Sequence, residues 1–107
     1  MSGWIGVDLD GTLAHYDHWR GPDHIGDPVP AMLQRVRTWL AEGQRVKIFT
    51  ARASVAECIP PIADWLRAHD LEGLEITCVK DFEMIQLWDD RCVQVIANTG
   101  LPVQQTP

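Results

Sequence analysis

Apolar residues fall in short blocks separated by polar, glycine- and proline-containing stretches, and their spacing predicts alternating strands and helices. Trp4-Ile5-Gly6-Val7 is an apolar run too short for a helix; it reads as a buried strand and stops abruptly at Asp8-Leu9-Asp10-Gly11-Thr12. After an irregular stretch, Pro28 and Pro30 suit a helix start, and Met32, Leu33, Val36, Trp39 and Leu40 recur at three- and four-residue spacing until Gly43 closes the helix. Residues 45–50 predict a second strand, which delivers Thr50-Ala51-Arg52. A second helix is predicted from Ser54, as cap with Glu57 as its reciprocal partner; Pro60-Pro61 should break it, with a restart through Ile62, Trp65 and Leu66 to about His69. Residues 74–79 read as a third strand ending in Lys80, 81–85 as a single helical turn, and 85–88 as a fourth strand ending in Asp89-Asp90-Arg91. The segment 92–96 follows too closely for a parallel crossover, so it is expected to pair antiparallel or to lie on the sheet edge. Residues 98–107 are a tail without an assigned element.

Strands alternating with helices imply an α/β fold with a mainly parallel sheet, whose ligands bind beyond the carboxyl ends of the strands. All four predicted strands end in groups capable of chemistry. Asp8 and Asp10 flank Leu9, so an extended backbone aims both carboxylates the same way, and Gly11 lets the chain turn sharply. Two such charges about 4 Å apart cost roughly 4 kcal/mol at an effective dielectric near 20, so the pair calls for a cation or a shared proton. Mg²⁺ is the hard cation that suits oxygen ligands where phosphate also binds. An ordinary Asp-Gly turn capped by Asp10 or Thr12 has the same composition; the other strand ends weigh against that reading.

The stretch 14–28 mixes aromatic, histidine and turn residues and is the candidate substrate loop. Tyr16, Trp19 and Arg20 are its candidates for holding a leaving group, by stacking or by charge, although Trp19 can also plug the loop onto the core. Its three histidines, His15, His18 and His24, lack the spacing of a metal site and read as solvated.

Composition narrows the function class. At 107 residues the chain is expected to be one domain, 1–107, with one modest core. A net charge of −6 argues against binding along a nucleic-acid backbone, which needs a basic face. No apolar run is long enough to cross a membrane, and the first residues show no basic-then-apolar leader, so a cytoplasmic location is expected. Cys58, Cys78 and Cys92 fit neither a disulfide framework nor a zinc site and are expected to be buried small hydrophobes.

The order DLDGT, FTAR, VK and WDD over residues 3–97 resembles the four motifs of the haloacid dehalogenase-like phosphohydrolase superfamily. The resemblance implies a three-layer Rossmann-like core. It implies a Mg²⁺-dependent phosphatase that hydrolyses a phosphomonoester, such as a nucleotide, through an aspartyl-phosphate. Asp8 would be nucleophile, Asp10 general acid and base, Thr50 a donor to the phosphoryl oxygens and Lys80 the neutralising cation. Mg²⁺ would be held by the Asp8 carboxylate, the Asp10 main-chain carbonyl and Asp90 directly, with Asp89 acting through water. Thr50 also reads as a strand-end cap and Lys80 as a surface lysine. Arg91 is expected to ion-pair with the acidic cluster, whereas Arg52 either does so or reaches substrate. Neither the stretch from Leu13 to Pro28 nor that from Thr50 to Lys80 can hold a cap domain, so the chain looks like a capless member; the resemblance then implies either a large substrate or a neighbouring subunit, as in a homo-oligomer, that closes the site. Phosphoryl transfer to another acceptor, or a non-catalytic module binding a phosphorylated or protein partner, would use the same framework.

Overall fold

The computed structural model describes residues 3–103. Four strands, β1 (Trp4–Val7), β2 (Arg45–Phe49), β3 (Glu75–Thr77) and β4 (Met84–Trp88), form one all-parallel sheet in the order β3-β2-β1-β4. Helices α1 (Pro30–Ala41) and α2 (Ile59–Ala68) fill the first two crossovers. β1 is central and wholly buried, as its unbroken apolar run requires. A Cβ on Gly6 would stand 2.9 Å from Met84 Cε and 3.1 Å from the Trp4 ring, so glycine keeps β1 and β4 closely packed.

Both helices lie on one face of the sheet. Met32 and Val36 of α1 and Ile62 and Leu66 of α2 share a single core with Ile5, Val7, Val46 and Ile48, which alternate along their strands to that face. Each such fully buried aliphatic side chain contributes about 1.5–3 kcal/mol of transfer free energy. Trp39 of α1 meets Trp88 of β4 edge-on at 5.2 Å between ring centroids, extending the core beneath the last strand.

No helix of the described residues covers the opposite face, so the expected three-layer core is a two-layer one here. Trp4, fully buried, is roofed instead by polar groups: its Nε1 donates to Asp81 Oδ1 at 2.8 Å, and Lys47 Nζ sits 4.5 Å from its ring centroid. Lys47 is itself only 8% exposed and pairs with Glu75 at 3.2 Å and Asp81 at 3.8 Å. The cause is the short link from β3 to β4. Residues 78–83 must bring the chain back from the level of Phe49, the partner of Thr77, to that of Trp4, the partner of Met84, which leaves none to spare for a helix.

Several local expectations are corrected. Pro60-Pro61 open α2 rather than interrupt it, because proline is tolerated in a first turn whose N–H groups have no intrahelical acceptor. Two short 3₁₀ turns, Ala51–Ser54 and Ala56–Cys58, precede it, and the Ser54 hydroxyl donates to the Ala51 carbonyl at 2.7 Å instead of capping a helix. In place of the helical turn expected over 81–85, a tight turn closed by Met84 N–H to Asp81 O leads directly into β4, which already includes Met84 and Ile85. Segment 92–96 does not join the sheet. Val95 bridges antiparallel to Pro102, around a turn at Asn98 and Gly100 with φ of 65° and 73°, and residues 104–107 of the tail lie outside the described residues. Cys58 is buried, but Cys78 and Cys92 are exposed, because β3 stops short of Cys78 and the chain after β4 leaves the core.

Candidate functional site

Asp8, Thr50 and Asp89-Asp90 follow β1, β2 and β4 directly, so the parallel sheet delivers them to one edge. Backbone pairing continues past the strands: Asp8 N–H donates to Trp88 O and Thr50 N–H to Thr77 O, each at 2.9 Å. The chain then curls through a tight turn, with Leu13 N–H on Leu9 O at 3.0 Å and Gly11 N–H on Ala14 O at 2.8 Å. Gly11 has φ of 91°, and a Cβ there would collide with the Asp90 carboxylate. Glycine is thus required both for the turn and for the approach of the acid.

Three carboxylates meet at this point. Ligand oxygens of Asp8, Asp89 and Asp90 all lie within 4.8 Å of one another. Thr12 braces the group: its hydroxyl donates to Asp90 Oδ1 at 3.1 Å, accepts the Asp90 N–H at 3.0 Å and lies 3.5 Å from Asp8 Oδ2. Asp89 Oδ1 accepts the Arg91 N–H at 2.8 Å, which fixes the second acid. Burial pushes the Asp8 carboxyl up to about 8, aided by the charges of Asp89, Asp90 and Asp10. An all-oxygen donor set whose members repel one another fits a hard divalent cation. The bracing by Thr12 had no separate signal in the sequence, where a hydroxyl after Asp-Gly reads as a turn cap.

Asp10 points elsewhere. Arg52 grips it at two points, Nε to Oδ2 at 2.7 Å and Nη2 to Oδ1 at 2.9 Å, with the Arg52 side chain 5% exposed. The remaining guanidinium donors reach Pro22 O at 3.3 Å and His24 O at 3.0 Å. Of the two roles expected for Arg52, the ion pair is formed, and the same residue also lines the cleft over these groups. Its buried guanidinium also lies 4.7 Å from the centroid of the Trp19 ring, so Trp19 packs on this arginine instead of plugging the core.

A cleft of about 1020 Å³ opens over these groups, lined by Asp8, Asp10, Thr50, Asp89 and Asp90 and walled by Tyr16 and Trp19. Thr50 is buried, and its hydroxyl oxygen accepts the Arg52 N–H at 3.2 Å. Arg20 does not line the cleft; it pairs with Asp17 at 2.6 Å. Lys80 is not brought into the site either. The chain has already turned back toward the start of β1, where neighbouring Asp81 bonds Trp4, and Lys80 is exposed with no ion pair among the described residues. Arg91 lines the cleft, but its guanidinium makes no ion pair with the acidic cluster, contrary to expectation. The loop histidines are exposed, as expected.

No family model and no curated protein matches the chain. A solved structure of a conserved protein from Bacteroides thetaiotaomicron is similar in fold, with a TM-score of 0.67 at 23% identity over 87% of this chain and 79% of that one. No helix of the described residues is long and apolar enough to cross a membrane.

Proposed function

We propose that the chain is a capless phosphomonoester hydrolase of the haloacid dehalogenase-like type, working with Mg²⁺. The observation that carries the reading is the convergence of Asp8, Asp89 and Asp90 at the carboxyl ends of two adjacent parallel strands, beside Thr50 on a third and at the mouth of an open cleft. Asp8, Asp89 and Asp90 would hold the cation, which supplies charge neutralisation for the incoming phosphoryl group.

Asp8 attacks phosphorus, the bond to the leaving oxygen breaks, and an aspartyl-phosphate forms. The leaving oxygen takes its proton from solvent in the open cleft; Asp10, ionised in its pair with Arg52, takes a proton from the water that cleaves the acyl phosphate and regenerates Asp8, and then returns it to solvent. Arg52 fixes the plane and rotamer of the Asp10 carboxylate, so this group is aimed before substrate arrives. Thr50 donates to the phosphoryl oxygens. The neutralising role expected of Lys80 passes to Arg91, the cation that lines the cleft without an acidic partner among the described residues.

Phosphate release from a panel of phosphomonoesters, with Mg²⁺ or EDTA, for the parent and Asp8→Asn, tests the reading. Turnover that requires both Mg²⁺ and Asp8 supports it. No turnover, with ligand binding retained in both proteins, would replace it with a phospho-ligand-binding module; a phosphorylated acceptor among the products would make it a phosphotransferase.

A further inference from the structure

Trp19 is held in place without being buried. Its ring is 53% exposed and lies outside the core, yet one face rests on the buried Arg52 guanidinium. The loop that carries it is fastened repeatedly: His15 N–H to Asp27 O at 2.8 Å, Trp65 Nε1 to Gly26 O at 2.9 Å, and Arg52 to the carbonyls of Pro22 and His24. Ordering a large aromatic side chain has an entropic cost, and here little burial offsets it. Tyr16, 49% exposed, stands in the same cleft, and Phe49 and Val55 add further apolar lining.

The charges of the lining narrow what fits. Asp10 neutralises Arg52, which leaves Arg91 as the cation of the cleft without an acidic partner among the described residues, while Glu57 adds a negative charge. A leaving group carrying a second phosphate or a carboxylate would find little there to pair with. The cleft, about 1020 Å³, is of the size that accepts a whole small molecule beside its phosphoryl group.

We infer that this part of the cleft is a stacking subsite for a planar aromatic ring in the leaving group, with the open face of Trp19 as its platform and Tyr16 beside it. The inference rests on the phosphomonoesterase reading for the position of the phosphoryl group. The shared chemistry is the ring, whether it belongs to a nucleoside monophosphate or to a simple aryl phosphate.

The test compares kcat/KM for adenosine 5′-monophosphate, phenyl phosphate and glycerol 3-phosphate in the parent, Trp19→Ala and Trp19→Phe. Trp19 also touches Arg52, so the informative quantity is the ratio of aromatic to aliphatic substrate. The parent is expected to favour the aromatic esters, the alanine variant to lose roughly ten-fold of that ratio, mainly through KM, and phenylalanine to restore most of it. A larger loss for the nucleotide than for phenyl phosphate identifies a nucleobase as the ring; equal losses identify the aryl group alone. A parent without aromatic preference, or a ratio unmoved by Trp19→Ala, overturns the inference. If the parent hydrolyses nothing, the catalytic reading has failed and calorimetric titration with adenosine monophosphate decides the subsite. Binding that weakens in Trp19→Ala upholds it, and absent or unchanged binding refutes it.

Discussion

Arg52 and Asp10 form a two-point ion pair across the gap between the ends of β2 and β1, with both contacts under 3 Å and the arginine almost wholly enclosed. The same guanidinium also bonds two carbonyls of the 14–28 loop. One side chain therefore links the loop to a carboxylate of the site. Removing it leaves Asp10 and two carbonyls without their donors. Arg52→Ala is expected to cost about 3 kcal/mol in urea denaturation. Arg52→Lys should recover less than half, because an ammonium cannot reproduce the planar fork. Equal stability of the lysine variant and the parent would show that charge alone suffices.

Stability should depend on pH through Asp8. Its carboxyl is raised from 3.8 to about 8 in the folded protein, so the neutral form is the favoured one. The stabilising contribution is therefore complete below the unfolded value and is lost as pH rises toward and through about 8. In EDTA the parent is expected to be less stable at pH 9 than at pH 5. Asp8→Asn should flatten this slope, by on the order of 2 kcal/mol after solvent screening is allowed for. Mg²⁺ should stabilise the parent at pH 9 more than the variant, as thermal melts with and without the cation would show.

The two adjacent acids differ in how they are held. Asp90 is braced by the Thr12 hydroxyl and packs against Gly11, whereas Asp89 accepts a bond from the backbone of its own turn. Asp90→Asn is expected to raise the Mg²⁺ concentration needed for half-maximal stabilisation at least ten-fold, and Asp89→Asn by less. Equal shifts in a titration followed by melting temperature would assign direct ligation to both.

For the cations, position predicts the outcome. Arg91→Met is expected to lower kcat/KM at least ten-fold, and Lys80→Met to have little effect, because the first side chain lines the cleft and the second faces solvent. The reverse order would show that the short β3–β4 link rearranges when substrate binds.

How much of this was legible in the sequence depended on whether the signal was local. The apolar run of β1, the period of α1 and the polar residues that follow Val7, Phe49 and Trp88 are local patterns, and each fell where its pattern put it. The proline pair misled because the same two residues stop a helix from within and start one from its first turn; only the partners of the preceding N–H groups distinguish the cases. Lys80 follows an apolar run as Asp8 does, but β3 ends at Thr77, and three more residues of chain are enough to carry it back from the edge. The missing third layer had a trace in the sequence, since the short link from β3 to β4 leaves no room for a helix. The burial of Lys47 beneath that link had none, as its partners Glu75 and Asp81 come from outside its own strand.

The bond between Thr12 and Asp90 joins positions 78 residues apart, across strands that are first and last in the sheet's chain order but neighbours in space. The acidic centre therefore has no partially built version. A nascent chain that has formed β1, α1 and β2 possesses Asp8 and Thr50 but neither Asp89 nor Asp90, and gains its cation site only when β4 docks against β1. Contacts of such long range are closed late, after the cost of looping the intervening chain has been met. Affinity for a divalent cation would thus report on completion of the whole fold, and a bound cation would oppose global unfolding, not merely the fraying of one turn.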